Sequence, residues 1–302
     1  MYKVFLADHI APEARRRLEE RVELVDRFDR PEELDAIIVR QTALPGDVIR
    51  RAVKCRVIQM HGIGLERIDT CAAAEMGIPV LITRGGNNES VAELVVALVL
   101  ALARKLKYVD QGMREGRFAR HGTPELLGTE IYGKRFGLVG SGQIGQLTAS
   151  IMAAAFHTEI WCFNPSLTEE KARALGYRRA ADLRELMAKC DIVSVQVPLT
   201  DATRHMFNAD VFAAANPDLL FVNTSRGGVV DESALYTALT TGQIRAAAMD
   251  VFEREPPPAE HPLLALENFV GTMHVGGNTP EALKRNGQIV AENIFRALGI
   301  ED

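Results

Sequence analysis

The sequence predicts an α/β protein of two domains, one built on a doubly wound parallel sheet and the other a smaller, discontinuous α/β unit. Three observations carry that expectation. Short apolar runs alternate with helical patterns along the chain, as strands of a parallel sheet alternate with their covering helices. A second series of such runs starts at Phe136 and opens with a glycine-rich turn, Gly140-Ser141-Gly142-Gln143-Ile144-Gly145. The length, 302 residues with 47% apolar side chains, suffices for two separate cores.

In the first hundred residues strand patterns fall at 3–7, 36–39, 57–60 and 79–81, with helical patterns at 12–20, 45–53 and 68–75. The opening apolar run is broken at once by Asp8 and His9, so it reads as a first strand and not as a secretory signal. The most apolar segment, Val91 to Ala103, lies between acidic and basic residues and is too short to span a bilayer; it reads as a buried helix that continues to Tyr108. An irregular stretch runs from about Gln111 to Gly133. Strands are then expected near 136–139, 158–163, 191–197, 219–222, 244–249 and 269–272, the number a full doubly wound dinucleotide domain needs. The last helix, 280–298, follows the completed sheet and is expected to return to the first domain. The boundaries are therefore 1–99 with 280–302 for the outer domain and 100–279 for the inner one, and Pro256-Pro257-Pro258 is a rigid loop within the latter.

A net charge of −5 offers no general attraction to nucleic acid or to an anionic membrane, so neither is an expected partner and an anionic substrate must be met by local cations. Cys55, Cys71, Cys162 and Cys190 have no C-x-x-C spacing and read as reduced thiols. Without a targeting or membrane segment the expected location is the cytoplasm, and no metal site is expected.

The glycine turn follows the apolar run Phe136–Val139, precedes a helical pattern at 143–155 and a second strand at 158–163, and so completes a βαβ unit in about thirty residues. Such a turn offers bare backbone N–H groups and a positive helix end to a pyrophosphate. Ligands of open parallel sheets sit beyond the carboxyl ends of the strands. Arg226, Asp250, Glu255 and His274 all follow predicted strands at that edge. Each alone has an ordinary explanation: a solvated arginine, an exposed glutamate beside prolines, a capping histidine. His9, His121, His157, His205 and His261 are read in that ordinary way. A cation, two carboxylates and an imidazole gathered on the edge of the glycine turn are harder to attribute to packing.

At these residues the chain resembles the D-isomer-specific 2-hydroxyacid dehydrogenases. The resemblance is carried by Gly133-Lys134, Val139 to Gly145, Pro198-Leu-Thr200 with Thr203, Asn223-Thr-Ser-Arg-Gly-Gly228, Asp250-Val-Phe-Glu-Arg-Glu-Pro256 and His274 to Glu281, and in the first domain by Gly62-Ile-Gly64, Ile68-Asp69 and Ser90 to Glu93. It implies a Rossmann cofactor domain with a flavodoxin-like substrate domain, NAD as cofactor, and a small 2-oxo or D-2-hydroxy acid as substrate. His274 would be the acid/base, Glu255 would raise its pKa, and Arg226 would hold the substrate carboxylate and carbonyl oxygen. Backbone N–H groups of Ile63 and Gly64 would complete the carboxylate site, with closure between the domains. Gly140, Ser141, Gly142, Gln143, Ile144, Gly145, Asn164, Val197, Pro198, Thr203, Thr224, Ser225 and Gly276 would contact the cofactor, and Asp250 would accept from its carboxamide. The 111–133 segment resembles an arm through which relatives dimerise, so a homodimer is expected.

The chain departs from the family pattern at three positions. Asn164 stands where an acidic residue usually accepts from the adenosine ribose; a neutral amide does not repel a 2′-phosphate, yet no Lys or Arg follows before Lys171, so NAD is preferred and NADP stays open. Met273 replaces the usual proline before the histidine. His61 precedes Gly62 and reads as a loop side chain, with substrate contact as the other reading. Among other functions, a formate-type enzyme would pair its histidine with an amide, against Glu255. A non-catalytic NAD(H)-sensing or corepressor protein on the same fold is the alternative from another class, and its extra tails are not expected in a chain of this length. Glyoxylate, hydroxypyruvate, phosphoglycerate and bulkier 2-oxo acids all fit the sequence; phosphoglycerate is the less expected, since its enzymes often carry a C-terminal domain and this chain ends at Asp302.

Overall fold

Central strands of a parallel sheet are covered on both faces, so they form where the chain is continuously apolar. The computed structural model describes residues 1–27 and 29–301 and bears this out at Ala36–Val39, Leu220–Asn223 and Ala246–Met249, every residue of which is buried. The chain runs β1 (Lys3–Leu6), α1 (Pro12–Glu19), β2 (Glu23–Val25), β3 (Ala36–Val39), α2 (Gly46–Arg51), β4 (Val57–Met60), α3 (Thr70–Glu75), β5 (Val80–Leu81), α4 (Asn88–Ala103), α5 (Leu106–Arg114) and β6 (Arg135–Val139). It continues through α6 (Gln143–Phe156), β7 (Glu159–Phe163), α7 (Glu169–Ala174), β8 (Arg178–Arg179), α8 (Leu183–Lys189), β9 (Ile192–Val195), α9 (Ala209–Ala213), β10 (Leu220–Asn223), α10 (Glu232–Thr240), β11 (Ala246–Met249), β12 (Phe269–Gly271) and α11 (Pro280–Leu298). Two compact units result, 1–87 with 277–302 and 88–276.

In the first unit five parallel strands are ordered β2-β1-β3-β4-β5, the flavodoxin-like arrangement. One face packs Val4 and Ile38 against Leu18 of α1 and Val290, Ile294 and Phe295 of α11; the other packs Ile37 and Ile58 against Ile49 of α2 and Ala72 of α3. The helix at 280–298 thus joins the first sheet, as expected. Its ends follow from local chemistry: the Thr279 side chain accepts from Ala282 N–H, Pro280 opens the helix, and Gly299 closes it at φ +72°.

The second unit holds seven parallel strands in the order β12-β11-β10-β9-β6-β7-β8. Counted from β6, this is the Rossmann order 3-2-1-4-5-6 with one strand more. Six strands were expected here, and two details differ. The third strand of the Rossmann order is β8, only Arg178–Arg179, whose exposed basic residues give no apolar signal. The expected strand at 269–272 is instead the additional edge strand β12. Likewise β2 was not anticipated in the first unit, since its three residues are only partly covered.

The predicted helix 91–108 is two helices, broken where Lys105 adopts a left-handed φ of +52°. The first, α4, buries Val95, Leu98, Val99 and Leu102 in one cluster with Phe136, Leu138 and Met152 of the second unit. For that reason the second unit begins at 88, where the sequence reading put it at 100. Among the described residues no helix is long and apolar enough to cross a membrane.

On the opposite face of this sheet Phe207, Phe212 and Phe221 meet edge to face or tilted, with ring centroids 5.0 to 6.4 Å apart, all fully buried. Phe221→Ala should cost about 3–5 kcal/mol through the cavity it leaves. A denaturant titration checks this; a midpoint equal to that of the unsubstituted protein would contradict it.

Candidate active site

The order of the second sheet reverses between β6 and β9, so the loops after these strands diverge and leave a crevice. Gly140, just after β6, sits at φ +92°, and a Cβ there would stand 2.5 Å from the Gln196 carbonyl oxygen at the end of β9. Only glycine allows that approach. Gly142 caps α6 without a side chain, and a Cβ on it would meet nothing within 4 Å. The first-turn N–H groups of Gln143, Ile144 and Gly145 precede any intrahelical acceptor and are backed by the dipole of a 14-residue helix. This open, positive, side-chain-free cradle fits the pyrophosphate of a dinucleotide. The other expected cofactor residues line the same edge. Asn164 donates from Nδ2 to Ser141 Oγ at 2.8 Å; Thr224 Oγ1 accepts from Gln196 Nε2 at 2.9 Å; Thr203 Oγ1 donates to Pro198 O at 2.6 Å and holds the loop after Val197.

Arg226 follows β10 in a loop organised by buried Asn223, whose Oδ1 accepts from Ser225 N and Oγ and whose Nδ2 donates to Arg226 O. The guanidinium donates from Nη1 to Ser225 O at 2.7 Å. A Cβ on Gly227 would overlap the Phe252 carbonyl, so the loops after β10 and β11 touch backbone to backbone there.

Asp250, at the end of β11, is 1% exposed. Its carboxylate accepts from Thr272 Oγ1 at 2.6 Å, Val275 N at 2.8 Å and Gly276 N at 2.9 Å, while its carbonyl accepts from His274 N at 2.7 Å. The sequence reading gave Asp250 and Gly276 to the cofactor; in the fold their first engagement is with each other. The four bonds bracket His274, which adopts φ +50°, a strained left-handed conformation that persists only where neighbours enforce it. They also fix the backbone at Met273, the departure from the proline pattern.

His274 Nδ1 lies 2.9 Å from Glu255 Oε2, and Glu255 Oε1 accepts from Phe252 N at 3.2 Å. The hydrogen bond to Glu255 raises the His274 pKa, against burial and the nearby Arg226 charge. Burial pushes Glu255 up, but the hydrogen bond and charge of His274 outweigh it and its pKa is lowered. With Nδ1 turned to the carboxylate, Nε2 is left for proton exchange on a half-exposed ring.

Two further pairs hold the Glu255 loop. Glu232 accepts from Glu253 N at 2.8 Å and lies 3.0 Å from His261 Nε2, and His205 Nε2 lies 2.8 Å from Glu253 Oε1. The sequence reading set both histidines aside; only folding brings them to one loop.

Ile63 and Gly64 belong to the loop after β4 in the first unit, where Ile63 is exposed. His61, in the same loop as expected, is a buried side chain there. It is 3% exposed, neither ring nitrogen has a hydrogen-bond partner among the described residues, and burial lowers its pKa to about 4. Among the described residues no group of three or more His, Cys, Asp or Glu is placed to hold a metal ion.

Residues 96–276 match the family described as D-isomer specific 2-hydroxyacid dehydrogenase, NAD binding domain. The chain is 39% identical over 307 residues to D-3-phosphoglycerate dehydrogenase of Methanocaldococcus jannaschii, covering 99% of this chain and 58% of that protein. It therefore spans little more than half the length of that relative. It is 40% identical over 271 residues to hydroxypyruvate reductase of Thermotoga maritima, covering 89% of this chain and 86% of that protein. Among solved structures, TT0316 protein of Thermus thermophilus superposes with a TM-score of 0.90 at 31% identity, covering 98% of this chain and 97% of the other.

Asp250→Asn replaces one acceptor oxygen by a donor facing N–H or O–H groups. It should lower stability by about 1–3 kcal/mol, the cost of unsatisfied buried donors. A urea midpoint unchanged by the substitution would contradict the bracing role of this carboxylate.

Proposed function

The chain belongs to the D-isomer-specific 2-hydroxyacid dehydrogenase family, and on that premise we propose that it interconverts a small 2-oxo acid and the corresponding D-2-hydroxy acid. A nicotinamide cofactor, NAD(H) or NADP(H), would supply the hydride chemistry at the substrate C2 when bound. Gly140, Gly142 and the first turn of α6 would hold its pyrophosphate. Arg226 orients the substrate, its planar fork matched to a carboxylate and an adjacent carbonyl oxygen. His274 donates a proton from Nε2 to the carbonyl oxygen in reduction and takes it back in oxidation. Glu255 holds the imidazole in the tautomer that leaves Nε2 facing out and stabilises the imidazolium. The observation that carries this reading is the 2.9 Å contact between His274 Nδ1 and Glu255, on the sheet edge that also bears Arg226 and the glycine cradle.

Hydroxypyruvate and phosphoglycerate, the substrates in the relatives' names, head the list of acids to be tried, with glyoxylate. A homodimer is part of the same reading. Leu106 and Met113 on α5, with Leu127 and Tyr132 in the segment beyond it, are large exposed apolar side chains that a second copy would cover. A cytoplasmic location belongs to the reading as well.

The experiment is nicotinamide absorbance against this panel of acids. His274→Ala should lower kcat/KM by about 10²- to 10⁴-fold, the usual worth of a positioned acid/base. Cofactor consumption unaffected by the substitution would overturn the assignment, and cofactor binding without turnover on any acid would favour a sensing protein.

The pH dependence has a definite sign. Reduction needs the imidazolium, so its kcat/KM should be full below the raised His274 pKa and fall as pH rises through it; oxidation should rise over the same range. Glu255→Gln removes both the charge and the ionic hydrogen bond, so the midpoint should move down toward the ordinary histidine value of about 6.5. An unmoved midpoint would show that Glu255 does not tune the histidine.

A further inference from the structure

Along the chain no cation follows Asn164 before Lys171, but the fold brings one from elsewhere. Arg179 of β8, the strand beside β7, donates from Nε to the Leu167 carbonyl at 2.9 Å. Leu167 N in turn donates to Asn164 O at 2.9 Å, closing a tight turn directly after β7. Neighbouring Arg178 is neutralised by Glu159. For Arg179 the Leu167 carbonyl is the partner present among the described residues, and no carboxylate among them lies within ion-pair distance of it. Nε is occupied and both Nη groups stay available, the fork that fits a phosphate in bidentate fashion.

The turn itself is neutral and hydroxyl-bearing. Asn164 is fixed on both sides of its amide, Nδ2 donating to Ser141 Oγ at 2.8 Å and Oδ1 accepting from Ser166 N at 3.1 Å and Ser166 Oγ at 3.0 Å. Its amide cannot swing away, and no carboxylate stands at this position to repel an anion. The nearest acidic residues along the chain, Glu169 and Glu170, are exposed in the first turn of α7.

We propose that the Asn164–Leu167 turn and Arg179 form a subsite for a phosphate monoester on the adenosine ribose, so that the protein binds the 2′-phosphorylated dinucleotide, NADPH, in preference to NADH. The inference rests on the nucleotide-binding reading of the Gly140 turn. It reverses the preference drawn from the sequence, because the cation comes from fifteen residues beyond Asn164 through strand pairing.

The test is calorimetric binding of adenosine 2′,5′-bisphosphate and of 5′-AMP, which differ only by the 2′-phosphate and need no turnover. The 2′-phosphorylated nucleotide should bind more tightly, and Arg179→Ala should weaken it roughly tenfold to a hundredfold, the loss of one or two charge-assisted hydrogen bonds, with 5′-AMP little changed. Arg179→Lys should keep part of the preference, and Asn164→Asp should abolish it. Tighter binding of 5′-AMP by the unsubstituted protein, or an equal loss of both ligands in Arg179→Ala, would overturn the subsite. Binding of neither nucleotide would remove the nucleotide reading itself, and the subsite with it.

Discussion

A buried carboxylate holds the candidate site in shape. Asp250 directly follows β11 with almost no exposed surface, and its oxygens bind three donors spread over Thr272 to Gly276. Burying a carboxyl group is costly unless its polar atoms find hydrogen-bond partners, so these bonds hold the loop after β12 to the end of β11. Between the donors stands His274 in a left-handed conformation that a free chain would leave. The ring's orientation toward Glu255 is a consequence of that brace.

The remaining groups are assembled by sheet geometry. Parallel strands deliver their following loops to one edge, and β6, β9, β10, β11 and β12 deliver the glycine cradle, the Pro198 loop, Arg226, Glu255 and His274. Proximity at that edge is set by contacts that only particular residues permit. Gly227 lets the Arg226 loop lie against the Phe252 peptide, and Phe252 N–H orients Glu255. Glu232 and His205 secure the same loop from its other side. The imidazole, its carboxylate and the guanidinium thus share a frame built from backbone contacts, which keeps their mutual electrostatics constant.

Those features were legible in the sequence where a local signal exists. Continuous apolar runs such as Leu219 to Val222 locate the central strands, and glycine spacing locates the cradle. Strand ends then place Arg226, Glu255 and His274, since topology fixes which edge carries ligands. What could not be read arises from partners far apart in sequence or from segments without hydrophobic contrast. β8 is a pair of arginines, held as a strand by its neighbour and not by its own pattern. The break at Lys105 falls inside a helical pattern with no glycine or proline to announce it. His61 is ordinary in sequence and becomes distinctive only by burial without a hydrogen-bond partner among the described residues. Asp250 carries an acidic side chain like any other, and its bracing role requires a loop 22 to 26 residues away.

The central claim is that Glu255 poises His274 as an imidazolium with Nε2 free to exchange a proton. The direct measurement is an NMR titration of the His274 ring in the unsubstituted protein and in Glu255→Gln, with the ring nitrogens assigned. The account predicts a pKa above the ordinary histidine value of about 6.5 in the former, a fall in the latter, and a neutral form protonated at Nδ1. A ring that titrates at or below the ordinary value in both proteins would contradict it.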